Sequence, residues 1–156
     1  MEKTLIILKP DALQRGLSGR IISRFEDKGF QILALKMMRV SRELAEKHYA
    51  VHKGKPFYPR LISYITSSPV MVMVLQANNA IAVARKMMGA TFGSNAEPGT
   101  IRGDFGLSNS FNLIHGSDSP AAAEFEIGLY FRPEDLLAFD RTNERWIYDM
   151  SGDNPE

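Results

Sequence analysis

Short apolar runs of strand length alternate along this chain with segments of helical period, and glycine or proline marks most junctions. Thr4–Leu8 reads as a short strand buried on both faces, ended by Lys9-Pro10 because proline has no N–H for a ladder. Asp11 and Gln14, three apart, resemble a capping box opening a short helical turn, which Gly16 and Gly19 interrupt. From Ser18, residues Ile21, Ile22 and Phe25 recur at helical spacing until Lys28-Gly29, where glycine supplies a C-cap. Phe30–Val40 returns to strand composition, with Leu33, Leu35 and Met37 alternating onto one face.

Ser41 is placed to cap a helix carrying Leu44, Ala45 and His48. Pro56 and Pro59 bracket a turn, and a short helix follows to about Thr66. Val70–Leu75 is a strand. Asn78 is expected to cap an alanine-rich helix through Met88, stopped by Gly89. Phe111–Ile114 is a short apolar strand, and Ser119-Pro120 opens a last helix over Ala121–Phe131, with proline at its first position. The order strand, helix, strand, helices, strand, helix, strand, helix predicts two β-α-β halves. It suggests an α+β, ferredoxin-like split β-α-β sandwich, although a doubly wound parallel sheet has the same order. Residues 1–156 read as one domain, with Asp149–Glu156 a polar, frayed tail.

Gly89–Ser110 departs from this pattern, with little periodicity and glycines at 89, 93, 99, 103 and 106. A loop that long inside a compact domain is usually functional or disordered. It holds Thr91, Arg102 and Asp104 and leads directly to a histidine.

Charge narrows the partners. Nineteen Lys+Arg against 18 Asp+Glu give a net charge of +1, so no global field draws the chain to nucleic acid or an acidic membrane. Anionic substrates would need a local basic cluster. The absence of cysteine excludes thiolate metal sites and cysteine nucleophiles, and fits a reducing compartment. No apolar run approaches the length of a membrane span, and a cytoplasmic protein is expected.

Common nucleotide motifs fail. Gly54-Lys55 has Tyr49 where a P-loop needs its first glycine, and Gly16-Leu17-Ser18-Gly19 does not continue as a dinucleotide fingerprint. His48 and His52, four apart, lack the glutamate and third ligand of a zinc helix and read as a partly exposed pair without metal. The informative stretch is Asn112-Leu113-Ile114-His115-Gly116-Ser117-Asp118-Ser119. Neutral imidazole has a free lone pair and is a competent nucleophile toward phosphorus. Gly116 permits close backbone approach, and Ser117 and Asp118 can orient the ring. Arg85, Arg102 and Lys9 can supply the positive charge that phosphoryl transfer needs, and Glu126 can hold the imidazole or Ser117. Taken singly, each has a plainer reading: a structural histidine in a turn, solvated helix faces for Arg85 and Glu126, a strand end for Lys9.

Together these residues resemble the nucleoside diphosphate kinase family. The signature Asn112–Ser119 stands among further collinear matches: Lys9-Pro10-Asp11 with Gln14–Leu17, Arg24-Phe25-Glu26, Lys28-Gly29-Phe30, His48-Tyr49, Pro56-Phe57-Tyr58, Gly99–Phe105 and Glu126–Leu129. The likeness covers about residues 3–140. It implies an antiparallel four-stranded sheet covered by helices. His115 would take the γ-phosphoryl of a nucleoside triphosphate and pass it to a diphosphate. Lys9 and Asn112 match residues at the nucleotide sugar and nearby phosphate, Tyr49 an aromatic beside the catalytic group, and Phe57 the ring on which the base stacks. Arg85, Thr91 and Arg102 match phosphate ligands, and Glu126 and Ser117 match groups supporting His115. Mg²⁺ would arrive with the nucleotide. Stacking without base-edge contacts implies broad base tolerance. The family forms homo-oligomers built from dimers.

One departure stands at Phe92-Gly93, where the family commonly has Asn or Asp followed by Pro in a loop used for subunit contacts. A proline restored at 93 is expected to stiffen that loop. Two other functions share parts of the pattern. A phosphohistidine carrier would keep His115 but would not need Phe57, Thr91 and Arg102 together. A nucleic-acid or small-ligand module would want exposed aromatic–basic strands, which the balanced charge does not support.

Overall fold

The computed structural model describes residues 1–152. Four strands, β1 (Glu2–Leu8), β2 (Gln31–Met38), β3 (Val70–Ala77) and β4 (Ile114–Gly116), form one sheet in the order β2-β3-β1-β4. Every neighbouring pair is antiparallel. Since β1 and β2 both run against β3, they are parallel to each other; β3 and β4, both against β1, are likewise. Each β-α-β unit is therefore split by a strand of the other. This is the ferredoxin-like α+β arrangement, and the parallel alternative is excluded.

Leu5, Ile6, Ile7 and Leu8 are fully buried because β1 lies inside the sheet with helices on both faces. Ile6 and Leu8 pack with residues of α1 (Pro10–Gln14), α2 (Ser18–Asp27) and α5 (Ala80–Met88). Leu5 and Ile7 pack with residues of α3 (Arg42–His48), α4 (Tyr58–Thr66) and α7 (Pro120–Tyr130). Each such side chain contributes about 1.5–3 kcal/mol. The predicted caps form at two helices: Ser41 Oγ accepts from Leu44 N, and Ser119 Oγ from Ala122 N, with Pro120 in the first turn. Gly29, at φ +100°, ends α2 in the conformation glycine adopts freely.

Several local expectations need correction. Asp11 does not cap α1. Lys9 is the N-cap but makes no side-chain capping bond, and the Asp11 carboxylate instead accepts from Leu113 N and Tyr64 OH. Gln14 bonds Ser68 Oγ. Gly19 lies in the first turn of α2 and does not interrupt a helix. The cap of α5 is Asn79, in the left-handed region at φ 51°, not Asn78. In β2 the register shifts between Ile32 and Ala34, leaving Leu33 as the extra residue of a bulge. Leu33 is buried, whereas Leu35 and Met37 are 48% and 65% exposed on this edge strand, so they do not share one buried face. The Gly89–Ser110 segment contains a short helix, α6 (Ile101–Phe105), capped by Thr100 Oγ1. β4 begins at Ile114, so His115 is its central residue and Phe111 is exposed outside it.

Proline does not fit at 93. A Cβ on Gly93 would stand 2.2 Å from the carbonyl oxygen of Gly106, so the two glycine backbones pack in direct contact. Of the predicted tail, residues 149–152 carry no helix or strand and 153–156 lie outside the described residues. Among the described residues no helix is long and apolar enough to cross a membrane.

Candidate active site

The pleat of β4 decides which way the signature histidine points. His115 stands opposite Ile7, and cross-strand partners face the same side of a sheet. That side is covered by α3 and α7, which bring His48 and Glu126 to the ring. Gly116, one residue on, faces the other side. A Cβ there would lie 2.6 Å from Met88 Sδ and 3.1 Å from Ile6 Cδ1, so only glycine lets α5 approach β4 this closely.

His115 Nε2 lies 2.9 Å from Glu126 Oε2. The same oxygen accepts from Ser117 Oγ at 2.7 Å, and Ser117 Oγ accepts from Leu5 N at 3.2 Å. Burial alone would raise the Glu126 pKa, but the hydrogen bond and charge of His115 and the hydrogen bond of Ser117 outweigh it and hold it below the ordinary value. An ionised carboxylate only accepts, so it fixes the proton of neutral His115 on Nε2. The lone pair is then on Nδ1, which no hydrogen bond engages among the described residues.

His48, read from sequence as half of a partly exposed pair, is buried. Its ring meets His115 edge-on at 4.6 Å, and its Nδ1 lies 3.2 Å from Tyr130 OH. Burial first, then the neighbouring His115, push its pKa down to about 3, so it stays neutral. Nothing local in the sequence links residues 48 and 130. His48, His115 and Glu126 place one ligand atom each within 4.8 Å of one another. Two imidazoles and a carboxylate are a zinc-type donor set. Here His115 and Glu126 are bonded to each other and His48 Nδ1 to Tyr130, so protons already close the network.

Tyr49 is buried edge-on to His115 at 6.4 Å, and among the described residues its hydroxyl has no hydrogen-bond partner. Burial raises its pKa well above the ordinary value, so it is a neutral donor. From Tyr49 a line of rings runs outward: His52 at 6.2 Å, then Phe57 at 5.4 Å from His52, half exposed and available as a platform.

Three cations converge on the segment from Asn112 to Gly116, from the end of β1, from α5 and from α6. Lys9, at the end of β1, is buried, and its Nζ donates to Asn112 Oδ1 at 2.6 Å. Asn112 Nδ2 donates in turn to the Thr91 carbonyl at 3.0 Å, tying the exposed Thr91 loop to β1. Burial and the Arg102 charge lower the Lys9 pKa to about 8, with Asp11 opposing. Arg102 is also buried and spends donors on three carbonyls, of Asn112, Gly89 and Ile114, leaving two N–H groups. Burial and Arg85 lower its pKa to about 10. Arg85, exposed on α5, donates to the Gly116 carbonyl at 3.3 Å. Among the described residues none of the three forms an ion pair. Mutually repelling, unpaired cations mark a place for an anion.

Comparison with known proteins adds an independent finding. The nucleoside diphosphate kinase family profile matches residues 2–136. The nucleoside diphosphate kinase of Pelotomaculum thermopropionicum is 55% identical over 149 residues, covering 96% of this chain and all of that one. That of Brevibacillus brevis is 57% identical over 147 residues, covering 94% and 100%. The halophilic nucleoside diphosphate kinase of Halobacterium salinarum, solved in complex with CDP, superposes with a TM-score of 0.93 at 47% identity, covering 94% of this chain and 98% of that one.

Proposed function

The chain belongs to the nucleoside diphosphate kinase family and is a nucleotide phosphotransferase, and from that premise we propose that it works through a phosphohistidine on His115. The observation that carries this reading is the ring's asymmetry: Glu126 holds Nε2 and leaves Nδ1 open, while Arg102 and Arg85 donate to the Ile114 and Gly116 carbonyls that flank His115. In the first half-reaction the Nδ1 lone pair attacks the γ-phosphorus of a nucleoside triphosphate. The bond from γ-phosphorus to the bridging oxygen breaks, and the diphosphate leaves with that electron pair. In the second, a terminal oxygen of an incoming diphosphate attacks the same phosphorus, and the N–P pair returns to Nδ1. One site serves both nucleotides in turn, so kinetics are ping-pong.

Lys9, Arg85, Arg102 and Asn112 bind phosphates and sugar in this reading, with Thr91 beside them. The orphaned Tyr49 hydroxyl donates to the transferring group, and Phe57 stacks the base at the outer end of the ring line. A ring face reads no base edges, which supports broad base tolerance. The Lys9 amino group, the Arg85 and Arg102 guanidinia and the Asn112 amide suit phosphate oxygens and not a hard cation, so Mg²⁺ would travel on the nucleotide. When bound it neutralises phosphate charge. The open edge of β2, with Leu35 and Met37 exposed, favours a homodimer as the unit of a larger assembly. We read the whole chain as a single domain, and the absence of cysteine favours the cytoplasm.

Incubation with γ-labelled ATP tests the chemistry. Acid-labile label on the wild type, chased by several diphosphates and absent from His115→Gln, is expected. Substantial nucleotide exchange by His115→Gln would refute the mechanism.

A further inference from the structure

Leu113, between the nucleotide-side Asn112 and β4, has φ of +70°. Ile114 N donates across it to the carbonyl of Asn112 at 2.8 Å. A bond from residue i+2 back to i over a residue of positive φ is a γ-turn of the rare, strained hand. Such a conformation persists in a leucine only where its surroundings impose it. Both backbone groups of Leu113 are held from the β1–α1 junction. Asp11 Oδ2 accepts its N–H at 3.1 Å, and Lys9 N donates to its carbonyl at 2.8 Å. The other Asp11 oxygen accepts from Tyr64 OH, and the Tyr64 ring packs on Phe111 at 5.1 Å.

The turn separates two tasks. Before it, the Asn112 side chain reaches Lys9 Nζ and the Thr91 carbonyl, while its own carbonyl takes Arg102 Nε. After it, the chain enters β4 and His115 falls opposite Ile7. An extended residue at 113 would carry Asn112 along the strand line, away from Lys9. We propose that Asp11, backed by Tyr64, is a positioning residue: it imposes the γ-turn at Leu113 and so sets the phosphate- and sugar-side Asn112 relative to the nucleophile. This rests on the reading of His115 as nucleophile.

The test is a cycle of Asp11→Ala and Leu113→Gly, with each effect measured against its own background. Glycine adopts φ of +70° without strain, so it removes the need for a clamp. The readouts are single-turnover phosphoenzyme formation at saturating and limiting ATP, and exchange of the Leu113 amide hydrogen. In the wild-type background Asp11→Ala should slow phosphoenzyme formation by about ten- to a hundredfold, the scale of one charge-assisted hydrogen bond. In the Leu113→Gly background the loss should shrink to about threefold or less. An equal loss in both backgrounds overturns the proposal.

Asp11→Asn distinguishes the clamp from an effect of charge on Lys9. Its amide can still accept from Leu113 N and donate to the Tyr64 oxygen, so it should restore most of the rate; a variant as slow as Asp11→Ala refutes the clamp. If Asp11→Ala does not fold, Tyr64→Phe in the same two backgrounds takes its place, with a smaller loss and the same relief by glycine. Leu113 amide exchange must accelerate in the clamp variant whatever the chemistry, and unchanged exchange overturns the proposal. Failure of the nucleophile reading appears separately, as absence of label on the wild type.

Discussion

Glu126→Ala removes an acceptor that two donors share, His115 Nε2 at 2.9 Å and Ser117 Oγ at 2.7 Å. In the proposed mechanism, phosphorylation at Nδ1 while Nε2 keeps its proton makes the ring cationic. The carboxylate therefore interacts more strongly with the transition state than with the free enzyme, and its loss falls on kcat more than on KM. A charge-assisted hydrogen bond contributes about 1.5–3 kcal/mol, which at ~1.36 kcal/mol per decade is about 10- to 150-fold in rate. Glu126→Gln keeps a neutral acceptor of roughly half that strength and should lose about five- to tenfold. The assay is rapid-quench phosphoenzyme formation at saturating ATP, with melting curves confirming the fold. A phosphorylation rate for Glu126→Ala within about twofold of wild type would refute the tautomer argument. Stability gives a second check. The folded Glu126 pKa lies below its unfolded value near 4.5, so its contribution is complete above that pH and is lost as pH falls through the folded value. Glu126→Gln should make acid unfolding less steep.

Lys9 carries the opposite sign. With a folded pKa of about 8 against 10.5 unfolded, its buried charge destabilises the free protein at neutral pH, and stability should rise between those values by at most about 1.4 kcal/mol per pH unit. Lys9→Met should abolish that rise in denaturant titrations and weaken triphosphate binding; a slope that survives the substitution would place the titration elsewhere. Phe57→Ala should weaken adenine and guanine nucleotides alike, by about 1–3 kcal/mol in calorimetry. Loss for one purine only would demand base-edge recognition. Gly93→Ala should destabilise by about 1–3 kcal/mol, since its Cβ would meet the Gly106 carbonyl oxygen at 2.2 Å. An unchanged melting temperature would show that the two glycine backbones separate freely.

Where a residue's partner is near in sequence, the chain alone determined the outcome. Ser41 and Ser119 imply helix starts and Lys28-Gly29 a helix end, each satisfied by neighbours a few residues away; the run Leu5–Leu8 implies burial on both faces from its composition alone, although its strand partners lie in β3 and β4. The signature around His115 was legible too, since an imidazole, a glycine and three small polar residues lie together in the chain. What depended on distant partners was not. Asp11 has the local look of a cap, yet its acceptors serve Leu113 and Tyr64, some fifty to a hundred residues away. His48 resembles half of an i, i+4 pair until α7 brings Tyr130 and Glu126 over it. The alternation of Leu33, Leu35 and Met37 is a sound strand signal, but pairing with β3 places a bulge at Leu33, and only the sheet decides which residues face solvent. Strand order, the strained turn at Leu113 and the bond of Glu126 to Nε2 of His115 are tertiary decisions for the same reason: each is a contest between hydrogen bonds whose donors and acceptors meet only when the sheet closes.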